Sequence, residues 1–569
     1  MIRYTDFQKN SSAEIRLQHF RKRISGLNGR EYRLKLTFLG ANHEVTGSRT
    51  LLEWNEGRYL LVDDGMTQGE DEYENPELPI PPDRIEYVLL THAHIDHSGM
   101  LPLLVKQGFK GKIYTTSETA NLCTIMLADS ASIQEKDAEY QTKKNLRVGK
   151  EPVEPLYTLE DAAKVSRLFR PCPYGQIIPV DEGLSVRFTD AGHLLGSSSI
   201  ECFMTENGQS VTMVFSGDIG NTNQPIIRDP IPVRKADYVM MESTYGNRLH
   251  DRTIDPIPFL IETLEKTFDR GGTVIIPSFA VGRTQELLYF FREIKMRNLL
   301  PRYQDFPVYV DSPLSNEATA VFLQCGTECL DEETLAVMRE GENPIWFDGL
   351  KTTTTADESK ALNQNSEPKV IIASSGMCEG GRIRHHLKHN IWNPANTILF
   401  VGYQANGTLG RIIYDGAKHV KILGEEIEVK AEITLLNGVS GHADQAGLMR
   451  WLDAMEEKPS RVFVNHGDDE SCEALVRLIG DQLGLPAESP YSGSSFDLLK
   501  GEWIRMAMPV RKKKANAQEP RRKAPDRQDY QQLLAAAEAL LRQVRGMENY
   551  ANGEIRKLTR QIQDLIQDG

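Results

Sequence analysis

The sequence predicts an α/β protein in which one strand-and-helix domain encloses a second, followed by a helical tail. Three observations support this prediction. From residue 34, short apolar strands such as "LKLTFLG" and "RYLLVDDG" are separated by turns. In the middle of the chain, strands alternate with clear helices, the pattern of a parallel sheet with crossover helices. In the last forty residues, apolar residues recur at helical spacing among polar ones.

The domain boundaries are placed where this texture changes. A chain of 569 residues exceeds what one hydrophobic core usually supports. The stretch "AEITLLNGVSGHADQAGLMRWL" returns to strand, His-bearing loop and helix, so the middle domain is predicted to be an insertion. We expect an N-terminal extension (1–33), the first part of the enclosing domain (34–245), the inserted domain (246–428), the return of the enclosing domain (429–510), a basic linker (511–529) and a helical tail (530–569).

Composition indicates a globular protein of a reducing compartment. Hydrophobic residues make up 40% and charged residues 26% of the chain, which excludes disordered and fibrous classes. No apolar run is long enough for a membrane span, and the start "MIRYTDFQKNSS" lacks a secretory signal. The seven cysteines are scattered without a C-x-x-C pair. We therefore expect a cytoplasmic protein with no membrane partner.

Charge limits the partners that the surface can take. A net charge of -14 argues against wrapping nucleic acid over the whole surface, although a local basic channel is compatible with it. The linker "RKKKANAQEPRRKAPDRQ" is either solvated or contacts RNA or an acidic partner. Apolar residues in the tail recur at helical spacing and need a partner surface, so a homodimer aided by the tail is among the expected assemblies.

The segment "THAHIDHSGM" carries the strongest chemical signal. It holds His92, His94, Asp96 and His97, although the whole chain has only 13 histidines. His92 and His94 alternate on one side of an extended segment, and Asp96 and His97 follow as the chain turns toward a helix. One ion cannot easily accept all four side chains. A pair of zinc or similar divalent ions suits this mixture of imidazole and carboxylate, and it suits hydrolysis; a histidine-rich surface loop is the less favoured alternative.

Further ligands are predicted at other strand ends. His193 in "DAGHLLGSSS", Asp218 in "FSGDIG" and His466 in "FVNHGDD" each follow a strand. Each alone is more often an ordinary loop residue. Together with the histidine cluster, they complete a set for two metals, in which a shared carboxylate joins the ions.

The H-x-H-x-D-H motif with the separate His193 and Asp218 resembles the metallo-β-lactamase fold hydrolases, over residues 34–242 and 429–500. This resemblance implies an αββα sandwich holding two Zn²⁺ ions. It implies one zinc at His92, His94 and His193, the other at Asp96, His97 and His466, and Asp218 as the bridge. Asp63 in "LLVDDGM" resembles the family's buried aspartate that orients ligands, with Asp64 beside it as the alternative.

The inserted domain and four further motifs resemble the β-CASP branch, whose members cut nucleic acids. The motifs are Glu242 in "MESTYGNR", "SGMCEGGR", His442 in "SGHAD" and His466 in "VNHGD". A histidine at the last motif resembles RNA-processing members, in particular bacterial and archaeal relatives of the eukaryotic pre-mRNA 3′-end processing endonuclease. The implied catalytic residues are His442 and Glu242, as the oriented proton donor, together with Asp96 and Asp63. The zinc ions would activate a water for attack on phosphorus, leaving a 5′-phosphate and a 3′-hydroxyl.

Phosphate contacts are predicted in two Gly-containing turns of the inserted domain. "SFAVGRTQELL" offers Ser278 and Arg283, and "SSGMCEGGRIRHHLKH" offers Ser374, Ser375, Arg382 and Arg384. Such turns are often only turns. The neighbouring His385, His386 and His389 are expected to contact solvent or RNA, because the metal set is already complete.

The leading hypothesis is an endonuclease for single-stranded RNA in RNA processing or decay. The nearest alternative is a 5′-to-3′ exoribonuclease of the same fold. Hydrolysis of a small molecule would leave the large insertion without a role, and a noncatalytic RNA-binding subunit would not need the metal and acid motifs.

Overall fold

The computed structural model describes residues 34–512 except 56, 70–71, 252–254 and 406, together with residue 544. The predicted N-terminal extension, the helical tail and most of the basic linker lie outside this part of the chain. Within it, every helix is too short or too polar to cross a bilayer.

The strands follow in chain order: β1 (Lys35–Gly40), β2 (Arg49–Trp54), β3 (Arg58–Asp64), β4 (Ile85–Leu89), β5 (Lys112–Thr115), β6 (Phe169–Pro171), β7 (Ile178–Asp181), β8 (Leu184–Asp190), β9 (Ser198–Glu206), β10 (Gln209–Phe215), β11 (Tyr238–Glu242), β12 (Val274–Pro277), β13 (Val308–Val310), β14 (Leu350–Thr352), β15 (Val370–Ala373), β16 (Thr397–Phe400), β17 (His419–Ile422), β18 (Glu425–Glu428), β19 (Glu432–Leu435), β20 (Arg461–Asn465), β21 (Ala487–Glu488), β22 (Ser495–Asp497) and β23 (Glu502–Arg505).

The helices are α1 (Ile95–Ser98), α2 (Leu101–Lys106), α3 (Ser117–Leu146), α4 (Leu159–Ser166), α5 (Pro256–Asp269), α6 (Arg283–Met296), α7 (Pro313–Gln324), α8 (Glu332–Arg339), α9 (Ala356–Leu362), α10 (Ile383–Asn390), α11 (Leu409–Tyr414), α12 (Gln445–Asp453) and α13 (Asp469–Leu483). Short 3₁₀ turns are formed by Pro82–Arg84, Pro301–Tyr303 and Thr327–Cys329.

The enclosing domain consists of two sheets packed face to face. One has the order β23-β22-β1-β2-β3-β4-β5-β6 and the other β21-β20-β11-β10-β9-β8-β7. Phe38 and Phe496 of the first sheet share a buried core with Phe188, Met213 and Phe463 of the second. Helices cover the outer faces, with α2 to α4 packed on the first sheet and α12 and α13 on the second. The predicted α/β sandwich is confirmed.

Strand direction brings the loops that carry chemistry to one edge of the sandwich. In the first sheet β3 and β4 run parallel. In the second, β10, β11 and β20 run parallel, and β8 shares their direction because β9 is antiparallel to both β8 and β10. Ligand sites of mixed α/β sheets form at the carboxyl ends of such strands. All the predicted metal ligands follow these strand ends.

The inserted domain is a six-stranded sheet with the order β14-β13-β15-β12-β16-β19. Each pairing in it is parallel, as the alternation of strands and helices predicts. One expectation is wrong: the strand "EITL", predicted to open the return segment at 429, is β19 and pairs with β16 of the insertion. Strand pairing therefore continues past residue 428. An isolated apolar strand does not show which sheet it joins, because both sheets offer an apolar neighbour.

Candidate metal centre

Close backbone approaches bring the loops together at the edge of the sandwich. A Cβ atom on Gly65 would lie 1.6 Å from the carbonyl oxygen of Asp96, so only glycine lets the loop after β3 touch the loop after β4. Gly220 likewise meets the carbonyl of Gly192, and its N–H donates to the Ala191 carbonyl at 2.8 Å. These contacts set the histidine and aspartate loops side by side.

The first group of candidate ligands joins His92, His94, His193 and Asp218. His94 Nδ1 lies 3.1 Å from His92 Nε2 and 3.2 Å from His193 Nε2. Asp218 Oδ2 lies 3.5 Å from both of those Nε2 atoms. Burial is the main cause that lowers the pKa of all three imidazoles. They are therefore neutral, which is the form that ligates a metal.

The second group joins Asp96, His97 and His466, with Asp218 again alongside. His97 Nε2 lies 2.9 Å from His466 Nε2, and these two atoms lie 3.2 and 3.5 Å from Asp218 Oδ1. His466 Nε2 is 3.7 Å from Asp96 Oδ2. Burial opposes ionisation of Asp96, but the hydrogen bond to His466 and the nearby imidazoles lower its pKa to about 2. Each oxygen of Asp218 therefore faces a different group.

This arrangement fits a pair of cations. Asp218 Oδ1 is buried and accepts no hydrogen bond from any described residue. A buried carboxylate oxygen without a donor is costly, and a bound cation removes that cost. The donors are imidazole nitrogens and carboxylate oxygens, which suit zinc and similar divalent metals. The residues present therefore fit the implied metal pair.

Asp63 orients the second group from beneath, while Asp64 points away. His97 Nδ1 donates to Asp63 Oδ2 at 2.7 Å, and the Thr91 N–H and Ser48 hydroxyl donate to the same carboxylate at 2.9 and 3.2 Å. Asp64 instead accepts from Arg49 Nε at 2.6 Å. Asp63 has a φ of 58°, an uncommon left-handed conformation for a residue other than glycine. At this point the two neighbouring side chains diverge: Asp63 faces His97, and Asp64 faces Arg49.

Sequence reasoning missed the groups that hold the other histidines. His193 Nδ1 donates to the Gly441 carbonyl at 3.0 Å, and His466 Nδ1 lies 3.2 Å from the Thr244 hydroxyl. Hydroxyls and carbonyls are too common in a sequence to signal such roles. Such partners fix the tautomer and direction of a ligating imidazole.

His442 and Glu242 form a pair at the solvent side of Asp218. His442 Nδ1 donates to Glu242 Oε1 at 3.1 Å and lies 3.9 Å from Asp218 Oδ2. The Ile219 N–H donates to the same Glu242 oxygen at 2.6 Å. Burial opposes protonation of His442, but Glu242 and Asp218 outweigh it and raise the pKa of the imidazole to about 9. The His442 side chain is 21% exposed, whereas those of Glu242 and Asp218 are almost completely buried.

Helix caps fix the loops on which these residues lie. Asp444, two residues after His442, is the N-cap of α12. Its side chain accepts from the Gly447 N–H at 2.8 Å. Asp468, two residues after His466, is the N-cap of α13. Its side chain accepts from the Ser471 N–H at 2.8 Å. N-caps of this kind stabilise a helix start and so the direction of the preceding loop.

The predicted phosphate-binding residues lie in the loops after β12 and β15 and in the first turns of the helices that follow, α6 and α10. Ser278 is buried and accepts from the Thr284 hydroxyl, and Arg283 pairs with Glu286. A Cβ on Gly282 would lie 3.0 Å from the Leu194 side chain, so the first of these loops reaches the residue that follows His193.

The second loop has its own partners within the insertion. Ser374 shares a hydrogen bond of 2.9 Å with Ser312, and Ser375 accepts from the Gly380 N–H at 3.3 Å. Arg384 donates to the Glu379 carbonyl at 3.3 Å, and its buried Nε has no hydrogen-bond partner among the described residues. The two loops therefore offer hydroxyls and N–H groups more readily than free cations.

Asp311 collects a buried polar network under the Gly-rich loop. Arg382 Nη1, His386 Nε2 and the Ser359 hydroxyl each donate to it at 2.5 Å, and the Thr353 hydroxyl does so as well. The expectation that His386 contacts solvent or RNA is wrong, because its side chain is completely buried. Arg382 is tied into the same network. Burial raises the pKa of Asp311, but its four donors, His386 first, outweigh this and lower it.

Replacing Asp311 with alanine is expected to lower the free energy of unfolding by about 3–5 kcal/mol at pH 7, because His386 and Arg382 lose their buried acceptor. The folded pKa is depressed, so this stabilisation is present above the unfolded value of 3.8 and is lost as the pH falls below it. Urea unfolding at pH 7 and pH 3 measures both effects. Asp269→Ala, which breaks an exposed pair with Arg302, is the control and should cost less than ~1 kcal/mol. Equal losses in the two variants would contradict the assignment.

Comparison with known proteins places these features in one family. A metallo-β-lactamase superfamily model matches residues 45–278, a β-CASP domain model matches 284–413, and a model described as a Zn-dependent metallo-hydrolase RNA specificity domain matches 426–490. The three matches follow one another along the described chain. The resemblance indicated by the sequence motifs is confirmed.

Individual similar proteins point to the same family. Ribonuclease TTHA0252 of Thermus thermophilus is 38% identical over 447 residues, covering 78% of this chain and 96% of the relative. Transcription termination factor FttA of Methanosarcina mazei is 32% identical, covering 79% of this chain and 70% of the relative. FttA of Pyrococcus abyssi is 30% identical, covering 80% and 70%. The chain therefore belongs to the β-CASP family of metallo-β-lactamase fold ribonucleases, and it is a metal-dependent hydrolase.

Proposed function

We propose that this protein is a dinuclear zinc endoribonuclease that hydrolyses phosphodiester bonds of single-stranded RNA in RNA processing or decay. One observation carries the proposal: two groups of ligand atoms face the two oxygens of one buried carboxylate, Asp218, and an oriented histidine pair lies next to it. Such a site is built for in-line displacement at phosphorus between two cations.

The proposed ligands follow the two groups. His92, His94 and His193 would hold one zinc, Asp96, His97 and His466 the other, and Asp218 would serve both. The bound pair would supply Lewis acidity to the phosphoryl oxygens and an ionised water as nucleophile. Asp63 keeps the Nδ1 proton on His97, so that Nε2 is free to ligate.

His442 is the proposed proton donor. Its Nδ1–H is held by Glu242, which leaves Nε2 as the ring nitrogen available to substrate. Glu242 is itself fixed by the N–H groups of Ile219 and Thr244. As water adds to phosphorus, the P–O3′ bond breaks and O3′ takes a proton from His442. The products are a 5′-phosphate and a 3′-hydroxyl.

RNA as substrate is supported by two lines of argument. A model described as an RNA specificity domain matches the return segment, and one similar protein bears the name ribonuclease. The second line is the position of the loop after β12, which carries Ser278 and reaches Leu194 through Gly282, with the loop of Ser374 and Ser375 next to it. With Arg283, Arg382 and Arg384 these serines are the proposed phosphate contacts. The seven free cysteines fit a cytoplasmic location, and a homodimer stays a prediction.

Circular RNA distinguishes the proposed function from its nearest alternative. Purified protein is incubated with 5′-labelled linear RNA and with the same sequence closed into a circle, with zinc and with a chelator. We expect the circle to be opened with zinc, and all cleavage to stop with chelator. Mapping of the ends should give 5′-phosphate and 3′-hydroxyl. Digestion of the linear RNA from its 5′ end with the circle intact would assign exonuclease activity, and no cleavage of either RNA would refute the function.

A further inference from the structure

A series of aromatic and cationic contacts leads from His442 to the inserted domain. The ring of Tyr245, three residues after Glu242, has its centroid 6.2 Å from that of His442. The guanidinium carbon of Arg248 lies 4.5 Å from the Tyr245 centroid and 5.5 Å from the Tyr403 centroid. Tyr245 and Arg248 belong to the segment after β11, whereas Tyr403 belongs to the insertion. The series therefore connects the proposed proton donor with the loop after β16 of the inserted sheet.

Two aromatic rings of the inserted domain are open to solvent in this region. Tyr403 is 47% exposed and Phe279 is 42% exposed. They follow β16 and β12, which are neighbouring parallel strands, so both rings lie at the same edge of the inserted sheet. A Cβ on Gly376 would lie 3.1 Å from Phe279 Cδ2, so the Gly-rich loop after β15 contacts that ring. Both rings thus lie among the loops that carry the proposed phosphate contacts.

Ordinary surface exposure does not account for this arrangement. Single exposed aromatic residues are common on proteins and need no function. Tyr140, which is 71% exposed on α3, is such a case. Tyr403 differs because a guanidinium lies over its ring and a second exposed ring lies on the neighbouring strand end. A stacked arginine and open ring faces are what unpaired bases meet in proteins that bind single strands.

We propose that Tyr403, backed by Arg248, and Phe279 form a stacking site for unpaired nucleobases next to the scissile phosphate. This inference rests on the proposed ribonuclease function and adds a subsite to it. Every base has a π-face, so the site favours unpaired RNA without selecting a sequence. Bases in a duplex are already stacked and cannot enter. The charge of Arg248 also attracts the backbone in a chain whose net charge is -14.

A cycle that combines one protein variant with abasic RNA tests the site. Steady-state cleavage is measured for a short single-stranded RNA and for a series in which one base at a time is removed near the cleavage site. For Tyr403→Leu we expect KM to rise about tenfold with kcat within about twofold, since stacking contributes to binding rather than to the chemical step. At one position of the RNA, removal of the base should raise the KM of the wild type by the same factor of about ten. Removal of that base should not raise the KM of Tyr403→Leu any further.

Three further variants show whether the effect is specific to the proposed stacking site. Tyr403→Trp retains a ring and should keep the wild-type KM, whereas Tyr140→Leu removes a more exposed ring elsewhere and should change nothing. Phe279→Leu should show its own abasic position. If Tyr403→Leu has the KM of the wild type, or if both proteins lose the same factor at every abasic position, the stacking site is refuted while the ribonuclease function stands. If the wild type cuts no RNA, the proposed function itself fails.

Discussion

Replacing Asp218 with alanine is expected to release both metal ions and to abolish RNA cleavage. Its two oxygens face different ligand groups, so Asp218 is placed to contact both proposed ions. Without it, His97 and His466 would also lose the anion that offsets two cations in a buried site. Enzymes of this kind accelerate hydrolysis by about 10⁶-fold or more, so cleavage should fall by at least about 10⁴-fold. Metal content by mass spectrometry and initial rates on RNA measure the two effects.

A matched control separates loss of the site from loss of the fold. Glu201 is also a buried carboxylate of the second sheet, but it pairs with Arg187 at 2.6 Å and faces no ligand group. Glu201→Gln should keep the metal content and the cleavage rate of the wild type. If Asp218→Ala retained both ions and wild-type cleavage, the bridging role would be wrong.

Replacing His442 with alanine is expected to leave the metal content at two ions while cleavage falls by about 10²–10⁴-fold, the usual contribution of a positioned proton donor. His442 is adjacent to Asp218 but is held by Glu242, and its side chain is the one member of that group open to substrate. Metal analysis and single-turnover cleavage rates are the measurements. Loss of zinc from this variant would show a ligand rather than a proton donor.

A modified substrate tests the proton-donor role of His442 in a way that does not depend on how well the variant folds. An RNA with sulfur in place of O3′ at the cleavage site has a leaving group that needs no proton. His442→Ala should therefore cut this RNA at nearly the wild-type rate. His419→Ala, a change at an exposed histidine of β17, serves as the control for both RNAs. A variant equally slow on oxygen and sulfur substrates would contradict the acid role.

Much of the fold follows from local patterns. Strands such as "TVIIP" and "KVIIA" are continuous apolar runs separated by helices, the pattern of a parallel sheet whose two faces are covered by helices. The assignment of "EITL" failed because a single edge strand carries no information about its neighbour. The direction of Asp63 could not be predicted either, since it depends on a positive φ that the sequence "VDDG" does not specify.

The clustering of the candidate metal ligands could be predicted where these residues are close in sequence. His92, His94, Asp96 and His97 define a pattern by themselves, whereas the hydrogen bonds of Thr91 and Thr244 depend on the packed loops. His386 was predicted wrongly although a signal existed. It lies three residues after Ile383, and Ile383, Leu387 and Ile391 mark the buried face of α10.

The dinuclear centre is tested most directly by anomalous diffraction from crystals grown with zinc, recorded on both sides of the zinc absorption edge. Two peaks per chain are predicted, both in contact with Asp218. One peak should also contact His92, His94 and His193, and the other should contact Asp96, His97 and His466. A zinc-replete crystal with no peak among these side chains, or with only one, would contradict the account.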